Sequence, residues 1–240
     1  MTHLFSPAGA RAPERSTYRF FPRLGLFILA ALMFFLAGIP GILLVPAEMQ
    51  NHLMIVISSG SSALVLSILF VIQYRSDPAA VLRGRTFSQP FKVGALALIA
   101  LYALFGIVIA FLHLPQEAFM SDLLTGLSPW QTLIKIASLL VLPPIAEELF
   151  FRHYLLRLFP YENSQLWKWI AIIVTSAIFA GLHLQYGNWT SVALIFLSGC
   201  VFAVTRIVSG GLMVPMLLHL LLEIIGLSTD WAFELAGLYG

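Results

Sequence analysis

Long apolar stretches separated by short polar connections make up most of this sequence. Most are close to the roughly 20 residues that a helix needs to cross a bilayer. The pattern therefore predicts an all-α, polytopic membrane protein with about seven transmembrane helices. The segments are Leu24–Val45, Leu53–Tyr74, Val93–Leu112, Trp130–Phe159, Lys168–Leu184, Trp189–Arg206 and Leu212–Leu227.

The fourth segment departs from this pattern. Trp130–Phe159 is too long for one perpendicular span, and Pro143 and Pro144 interrupt it. Proline removes a backbone donor and clashes with the preceding turn. We therefore predict a tilted or interfacial piece up to residue 142 and a new helix from Pro144. Glu147 and Glu148 would lie in its first turn, where the helix dipole favours negative charge.

Composition supports a membrane protein. Hydrophobic residues make up 60% of the 240 residues and charged residues 10%, whereas a soluble domain carries about 25% charged residues. The single cysteine, Cys200, excludes an intrachain disulfide and a cysteine-based zinc cluster. No basic stripe lies outside the membrane flanks, so we expect no nucleic-acid partner.

Charge predicts the orientation. With a cytoplasmic N-terminus, all but one of the 13 Lys and Arg residues fall on the inner side, and Lys135 is the exception. The charged residues of the predicted outer connections are all acidic. These acids are Glu48, Glu117, Asp122, Asp230 and Glu234. The pattern obeys the positive-inside rule and predicts an outer C-terminus. The first apolar run is longer than that of a signal peptide and no convincing cleavage site follows it, so we expect an uncleaved first span. The short loops favour a bacterial cytoplasmic membrane.

Ionisable residues interrupt the fourth apolar segment. Glu147, Glu148 and Arg152 follow Ala146 within an otherwise apolar stretch, and such residues in membrane segments usually face a protein interior or a water-filled cavity. Glu148 and Arg152 share a helix face and can pair. Glu147 points elsewhere and could take a proton from water. The alternative is that both acids only cap a helix.

Two later segments add ionisable side chains. His183 ends the fifth segment, and His219 and Glu223 share one face of the seventh. Each could be a purely structural, hydrogen-bonded residue. In lipid, however, such groups must find one another or water, so one shared cavity is the economical solution. A carboxylate, two imidazoles and a second carboxylate suit the activation of water for peptide-bond hydrolysis, with or without a metal.

Other chemistries fit less well. The sequence has no His-Glu-x-x-His zinc signature, and its aspartates all lie in predicted loops. A serine cluster in the second segment could supply a nucleophile with a histidine base, although small residues there more often pack helices. Its members are Ser58, Ser59, Ser61 and Ser62.

Three motifs resemble those of the CPBP family, which comprises CAAX-type prenyl proteases and bacteriocin-processing (Abi) enzymes. Glu147–Arg152 matches Glu-Glu-x-x-x-Arg, and Phe179–His183 matches Phe-x-x-x-His. His219 matches the start of His-x-x-x-Asn, but Glu223 stands where Asn is usual. The resemblance covers about residues 130–228. It divides the chain into an N-terminal tail (1–23), three transmembrane helices (24–128), a catalytic core (129–228) and a C-terminal tail (229–240).

The resemblance implies a glutamate-dependent intramembrane endopeptidase. Glu147 and His183 would activate water, and His219 and Glu223 would stabilise the oxyanion. Glu148 and Arg152 would organise the site. Asn can donate a hydrogen bond to an oxyanion, whereas an ionised Glu only accepts. We expect no cofactor, with zinc on Glu147, His183, His219 and Glu223 as the alternative.

The expected substrate is a membrane-tethered peptide or protein tail, such as a leader peptide, a signalling-peptide precursor or a sorting tail. The expected surroundings are the lipid bilayer, and the sequence leaves the oligomeric state open. Two other classes of function stay open. One is a non-catalytic immunity protein that sequesters a hydrophobic peptide. The other is a proton-coupled transporter, which the absence of internal repeats disfavours.

Overall fold

The computed structural model describes residues 18–239, which form helices and connecting turns without a strand in that range. The α-helices are α1 (Phe20–Leu36), α2 (Ile39–Leu44), α3 (Ala47–Ile55), α4 (Ser61–Gln73), α5 (Pro78–Arg83), α6 (Ser88–Leu112), α7 (Ala118–Asp122), α8 (Pro129–Glu147), α9 (Gln165–Gly181), α10 (Trp189–Ser209) and α11 (Met213–Ala236). π-Helices span Val56–Gly60 and Glu148–Leu155, and 3₁₀ turns span Leu156–Leu158 and Leu184–Tyr186.

Five helical stretches of the described chain are long and apolar enough to cross a membrane. They are Phe20–Leu44, Ala47–Gln73, Ser88–Leu112, Trp189–Ser209 and Met213–Ala236. The protein is therefore an all-α, multi-pass membrane protein. α9 is also an apolar helix, but it is shorter, with 17 residues in all. The predicted number of seven spans is thus not confirmed, because the fourth and fifth segments lie outside these five stretches.

The fourth segment is one continuous helix, in which α8 is followed directly by the π-helix and a 3₁₀ turn. The prediction of a break and a new helix at Pro144 is wrong, because α8 contains both prolines and runs to Glu147. Neighbouring helices and local π adjustments let membrane helices tolerate proline. The hydrogen-bonding pattern changes at Glu148 instead, where the π-helix begins. Glu147 and Glu148 therefore lie at an α–π junction, not at a helix start, and the dipole argument does not apply.

The two ends of the helix bundle carry opposite charges. At one end, Arg23 Nη1 donates to the carbonyl of Arg157 at 2.9 Å, and the Arg85 N–H donates to the carbonyl of Ser209 at 2.8 Å. At the other end, Gln116 donates to both oxygens of Asp230 at 3.2 Å. Asp230 also accepts a hydrogen bond from the Tyr239 hydroxyl at 2.7 Å. We call the end with Arg23, Arg85 and Arg157 the basic end, and the end with Asp230 the acidic end.

Packing fixes the π-helix against its neighbours. The Phe150 ring stacks on Phe34 of α1 with centroids 4.5 Å apart, and every residue of Glu148–Leu155 is buried. α6 approaches α11 closely at Gly94, where an added Cβ would lie 2.4 Å from Leu218 Cδ1. The π-helix also contacts α9, where the rings of Phe151 and Phe179 lie 5.1 Å apart, and α11, where His219 Nδ1 lies 3.0 Å from Glu148 Oε1.

Candidate active site

Four side chains from three helical segments converge at the α8–π junction. Glu147 Oε2 lies 3.9 Å from His183 Nε2 and 3.8 Å from His219 Nε2. His219 Nε2 also lies 3.6 Å from Glu223 Oε1. The structure thus brings together all four residues that the sequence suggested for one cavity. Their chemical roles stay predictions.

Glu147 supplies the free carboxylate oxygen of this cluster. Its side chain is 16% exposed, and its Oε2 is buried without a hydrogen-bond partner among residues 18–239. Separations of 3.8–3.9 Å are too long for direct hydrogen bonds, but one water molecule can bridge atoms at such distances. The geometry suits a carboxylate that holds a water molecule between itself and an imidazole.

His183 is held in one tautomer. It follows the end of α9 and precedes the turn Leu184–Tyr186. Its Nδ1 lies 2.7 Å from the carbonyl oxygen of Phe179, and a carbonyl can only accept, so Nδ1 carries the proton. A neutral ring then presents the lone pair of Nε2 towards Glu147, as a base requires.

Glu148 and Arg152 form a fully buried ion pair behind the cluster. Glu148 Oε2 lies 3.3 Å from Arg152 Nε, and both side chains have 0% exposure. The other Glu148 oxygen accepts a hydrogen bond from His219 Nδ1 at 3.0 Å. Glu148 therefore fixes the His219 ring and directs its Nε2 towards Glu147 and Glu223. The organising role that the family resemblance implies for Glu148 and Arg152 stays a prediction.

Aromatic rings enclose the two basic side chains. The Arg152 guanidinium lies 4.7 Å from the ring centroid of Phe179 and 5.4 Å from that of Phe202. The Phe202 ring also stacks on His219, with centroids 5.0 Å apart. Sequence reasoning missed Phe202, because a phenylalanine within an apolar helix carries no distinguishing signal. The rings cover the guanidinium of Arg152 and the imidazole of His219.

The cluster opens into a cavity of about 270 Å³ that extends towards the acidic end. Four carboxylates line it, from Glu117, Glu147, Glu223 and Asp230, and no Lys or Arg in the described part of the chain does. Apolar and aromatic side chains form most of the remaining wall. Sequence reasoning treated Glu117 and Asp230 only as loop charges, and nothing in their spacing indicates that they share a cavity with Glu147.

Two ionisable groups that lie outside the membrane spans and line this cavity have raised pKa values. Burial, above all, raises the pKa of the Tyr186 hydroxyl, and the Glu223 carboxylate adds to the effect. Burial also raises the pKa of Glu117, which the Ser191 hydrogen bond opposes and Asp230 reinforces. The part of the cavity lined by Glu117 and Tyr186 therefore disfavours additional negative charge.

The side chains do not fit a bound metal as they are arranged. Zinc ligands lie about 2.0–2.2 Å from the metal, which places tetrahedral ligand atoms roughly 3.3–3.6 Å from each other. Glu147 Oε2 is farther than this from both imidazoles. Within residues 18–239, no group of three or more His, Cys, Asp or Glu residues is arranged to hold a metal ion. We therefore derive no step through a metal.

The serine cluster of the second segment has structural hydrogen bonds. Ser62 Oγ donates to the carbonyl of Phe34 at 2.7 Å, and Ser58 Oγ donates to the carbonyl of Met54 at 2.7 Å. Neither serine is hydrogen-bonded to a histidine among residues 18–239. These contacts support a role in helix packing.

Comparison with known proteins identifies the family of this chain. The model of the type II CAAX prenyl endopeptidase Rce1-like family matches residues 129–225. An uncharacterized 24.3 kDa protein of Escherichia coli is 32% identical over 173 residues, which cover 71% of this chain and 78% of that protein. No solved structure matches the chain. The chain therefore belongs to the Rce1-like family of type II CAAX prenyl endopeptidases, within the CPBP family of membrane proteases.

Proposed function

We propose that this protein is a glutamate-dependent intramembrane endopeptidase that cleaves a membrane-tethered peptide or protein tail. The observation that carries the proposal is the position of Glu147 Oε2, which lies within 3.9 Å of two imidazole nitrogens and has no hydrogen-bond partner among the described residues. Family membership supplies the general activity, proteolysis. The residue roles are inferred from the geometry, and the substrate class is inferred from the family and the membrane-spanning helices.

In the proposed reaction, a water molecule binds between Glu147 Oε2 and His183 Nε2. Its oxygen attacks the carbonyl carbon of the scissile bond, and Glu147 accepts the released proton. The C–N bond then breaks, and the same proton passes to the departing nitrogen. The products are a carboxylic acid and an amine, so no co-reactant besides water is needed.

His219 is positioned to stabilise the oxyanion of the tetrahedral intermediate. Because Nδ1 donates to Glu148, an imidazolium ring leaves the Nε2 proton free to point into the cavity. Glu223 lies beside that nitrogen and can donate a second hydrogen bond when it is protonated. Donors placed in advance where charge develops are a major source of catalytic rate.

Charge suggests how the site faces the membrane. If the basic end lies in the cytoplasm, as the positive-inside rule requires, the cavity opens towards the outer side of the cytoplasmic membrane. A substrate would then enter from that side or from the outer leaflet. We propose a bacterial cell membrane as the location, with the N-terminus inside.

The test is cleavage by the purified full chain in nanodiscs. The substrates are lipid-anchored peptides of randomised sequence, and mass spectrometry detects the products. Glu147→Gln and His183→Ala should each lower turnover by about 10²–10⁴-fold while the protein remains folded. The matched control is Glu234→Gln, since Glu234 is exposed and does not line the cavity. Equal cleavage by all four proteins would remove Glu147 and His183 from the mechanism.

Further outcomes separate the alternatives. Peptide binding without turnover would indicate a sequestering protein. Substrate flux into proteoliposomes that depends on a pH gradient would indicate a transporter. Loss of cleavage in a chelator, with recovery on addition of zinc, would replace the metal-free mechanism with a zinc-dependent one.

A further inference from the structure

A second cavity, of about 290 Å³, lies at the basic end of the bundle. It shares no lining residue with the catalytic cavity. Its polar walls come from the start of the described chain, the end of α4 and the π–3₁₀ stretch. They are Arg19, Arg23, Gln73, His153, Tyr154 and Arg157. Nothing in the proposed proteolysis uses this cavity.

Among residues 18–239, no carboxylate neutralises the positive charge of this cavity. Three arginines line it without a carboxylate, and none of them has a carboxylate oxygen within 4.0 Å among residues 18–239. Their contacts are with neutral groups. Arg23 donates to the carbonyl of Arg157 at 2.9 Å, and Arg157 donates to the hydroxyl of Tyr74. Guanidinium groups prefer anionic oxygens, above all those of phosphate.

A buried hydroxyl supports a built site. Tyr154 lines the cavity and is 4% exposed, yet its hydroxyl has no hydrogen-bond partner among the described residues. A buried polar group without a partner is costly. The adjacent His153 is fully buried and lies 3.1 Å from Gln73 through its Nε2. The Tyr154 hydroxyl is therefore a neutral donor beside the three arginines that line the cavity.

The surroundings of the cavity suit a lipid. Pro22 and Leu26 add an apolar wall, and the cavity lies at helix ends that carry most of the positive charge. Basic pockets between transmembrane helices on the cytoplasmic side bind anionic headgroups. We propose that this cavity binds a phosphate group, namely the phosphodiester of an anionic phospholipid. The bound lipid would join α1 and α4 to the π-helix that follows Glu147.

The test measures lipid binding to the delipidated full chain by native mass spectrometry. The probes are phosphatidylglycerol, phosphatidylcholine and inorganic phosphate. The wild-type protein should bind one phosphatidylglycerol at least tenfold more tightly than phosphatidylcholine. Combined Arg19→Gln, Arg23→Gln and Arg157→Gln should abolish that preference. Tyr154→Phe, which is isosteric and keeps the charges, should weaken phosphatidylglycerol binding several-fold.

The matched control removes three charges from the same end without touching the cavity. Arg75→Gln, Arg83→Gln and Arg85→Gln together should keep the tenfold preference. An equal loss in this control would show general surface attraction and overturn the proposal, as would equal binding of the two lipids by the wild type. Binding of inorganic phosphate without phosphatidylglycerol would overturn the lipid assignment and leave a site for free phosphate. Cleavage is not measured, so these results are independent of the protease proposal.

Discussion

The adjacent glutamates Glu147 and Glu148 should respond differently to the same substitution. Glu148→Gln leaves the fully buried Arg152 without its counter-charge, and it weakens the hydrogen bond that orients His219. Removal of one partner from a buried ion pair costs about 3–5 kcal/mol. The rings of Phe179 and other phenylalanines near Arg152 contribute about 2 kcal/mol each when they are desolvated, but they are already in contact in the wild type and gain nothing from the substitution. They cannot replace Glu148.

Glu147→Gln should cost far less stability, because no Lys or Arg pairs with Glu147 and its Oε2 has no hydrogen bond to lose among the described residues. We expect Glu148→Gln to lower the free energy of unfolding by about 3–5 kcal/mol and Glu147→Gln by less than about 1 kcal/mol. SDS titration of the purified protein, followed by circular dichroism, measures both.

A double variant separates the ion pair from general damage to packing. Glu148→Gln combined with Arg152→Met removes both charges, so it should be less destabilised than Glu148→Gln alone. Similar losses for Glu147→Gln and Glu148→Gln would refute the division of roles between them. Additive losses in the double variant would refute the buried pair as the cause.

Three further predictions concern other positions. Gly84→Ala should destabilise the protein by about 2–5 kcal/mol, because Gly84 has φ +71° and an added Cβ would lie 2.3 Å from the Gly211 nitrogen. The control is Gly187→Ala, at φ +80° but in open space. It should cost only about 1–2 kcal/mol in the same SDS titration. Glu223→Gln, which keeps a donor beside His219, should retain most cleavage, whereas Glu223→Leu should lower turnover by about 10²–10³-fold; equal turnover would remove residue 223 from oxyanion stabilisation. Burial and Asp230 raise the pKa of Glu117. The stability that protonated Glu117 contributes is therefore lost as pH rises through its folded-state pKa. Glu117→Gln should raise the melting temperature more at pH 8 than at pH 4, and the opposite trend would contradict the raised pKa.

Much of the fold follows from local composition. Apolar length alone located five stretches that are long enough to span, because a bilayer accepts only helices with internally satisfied backbones. The break at Pro144 could not be judged this way. Whether a proline ends a helix depends on the neighbours that pack around it, and here the bundle keeps α8 intact to Glu147.

The sequence by itself determined the chemical inventory: which ionisable residues lie in apolar segments, and that His219 shares a helix face with Glu223. The i,i+4 spacing is enough for such pairs because helix geometry is local. Only the tertiary structure decided that Glu147 meets His183 and His219, and that Phe202 and Glu117 belong to the same environment. Those contacts join residues far apart in the chain, and their distances depend on how the α8–π stack packs against α9 and α11.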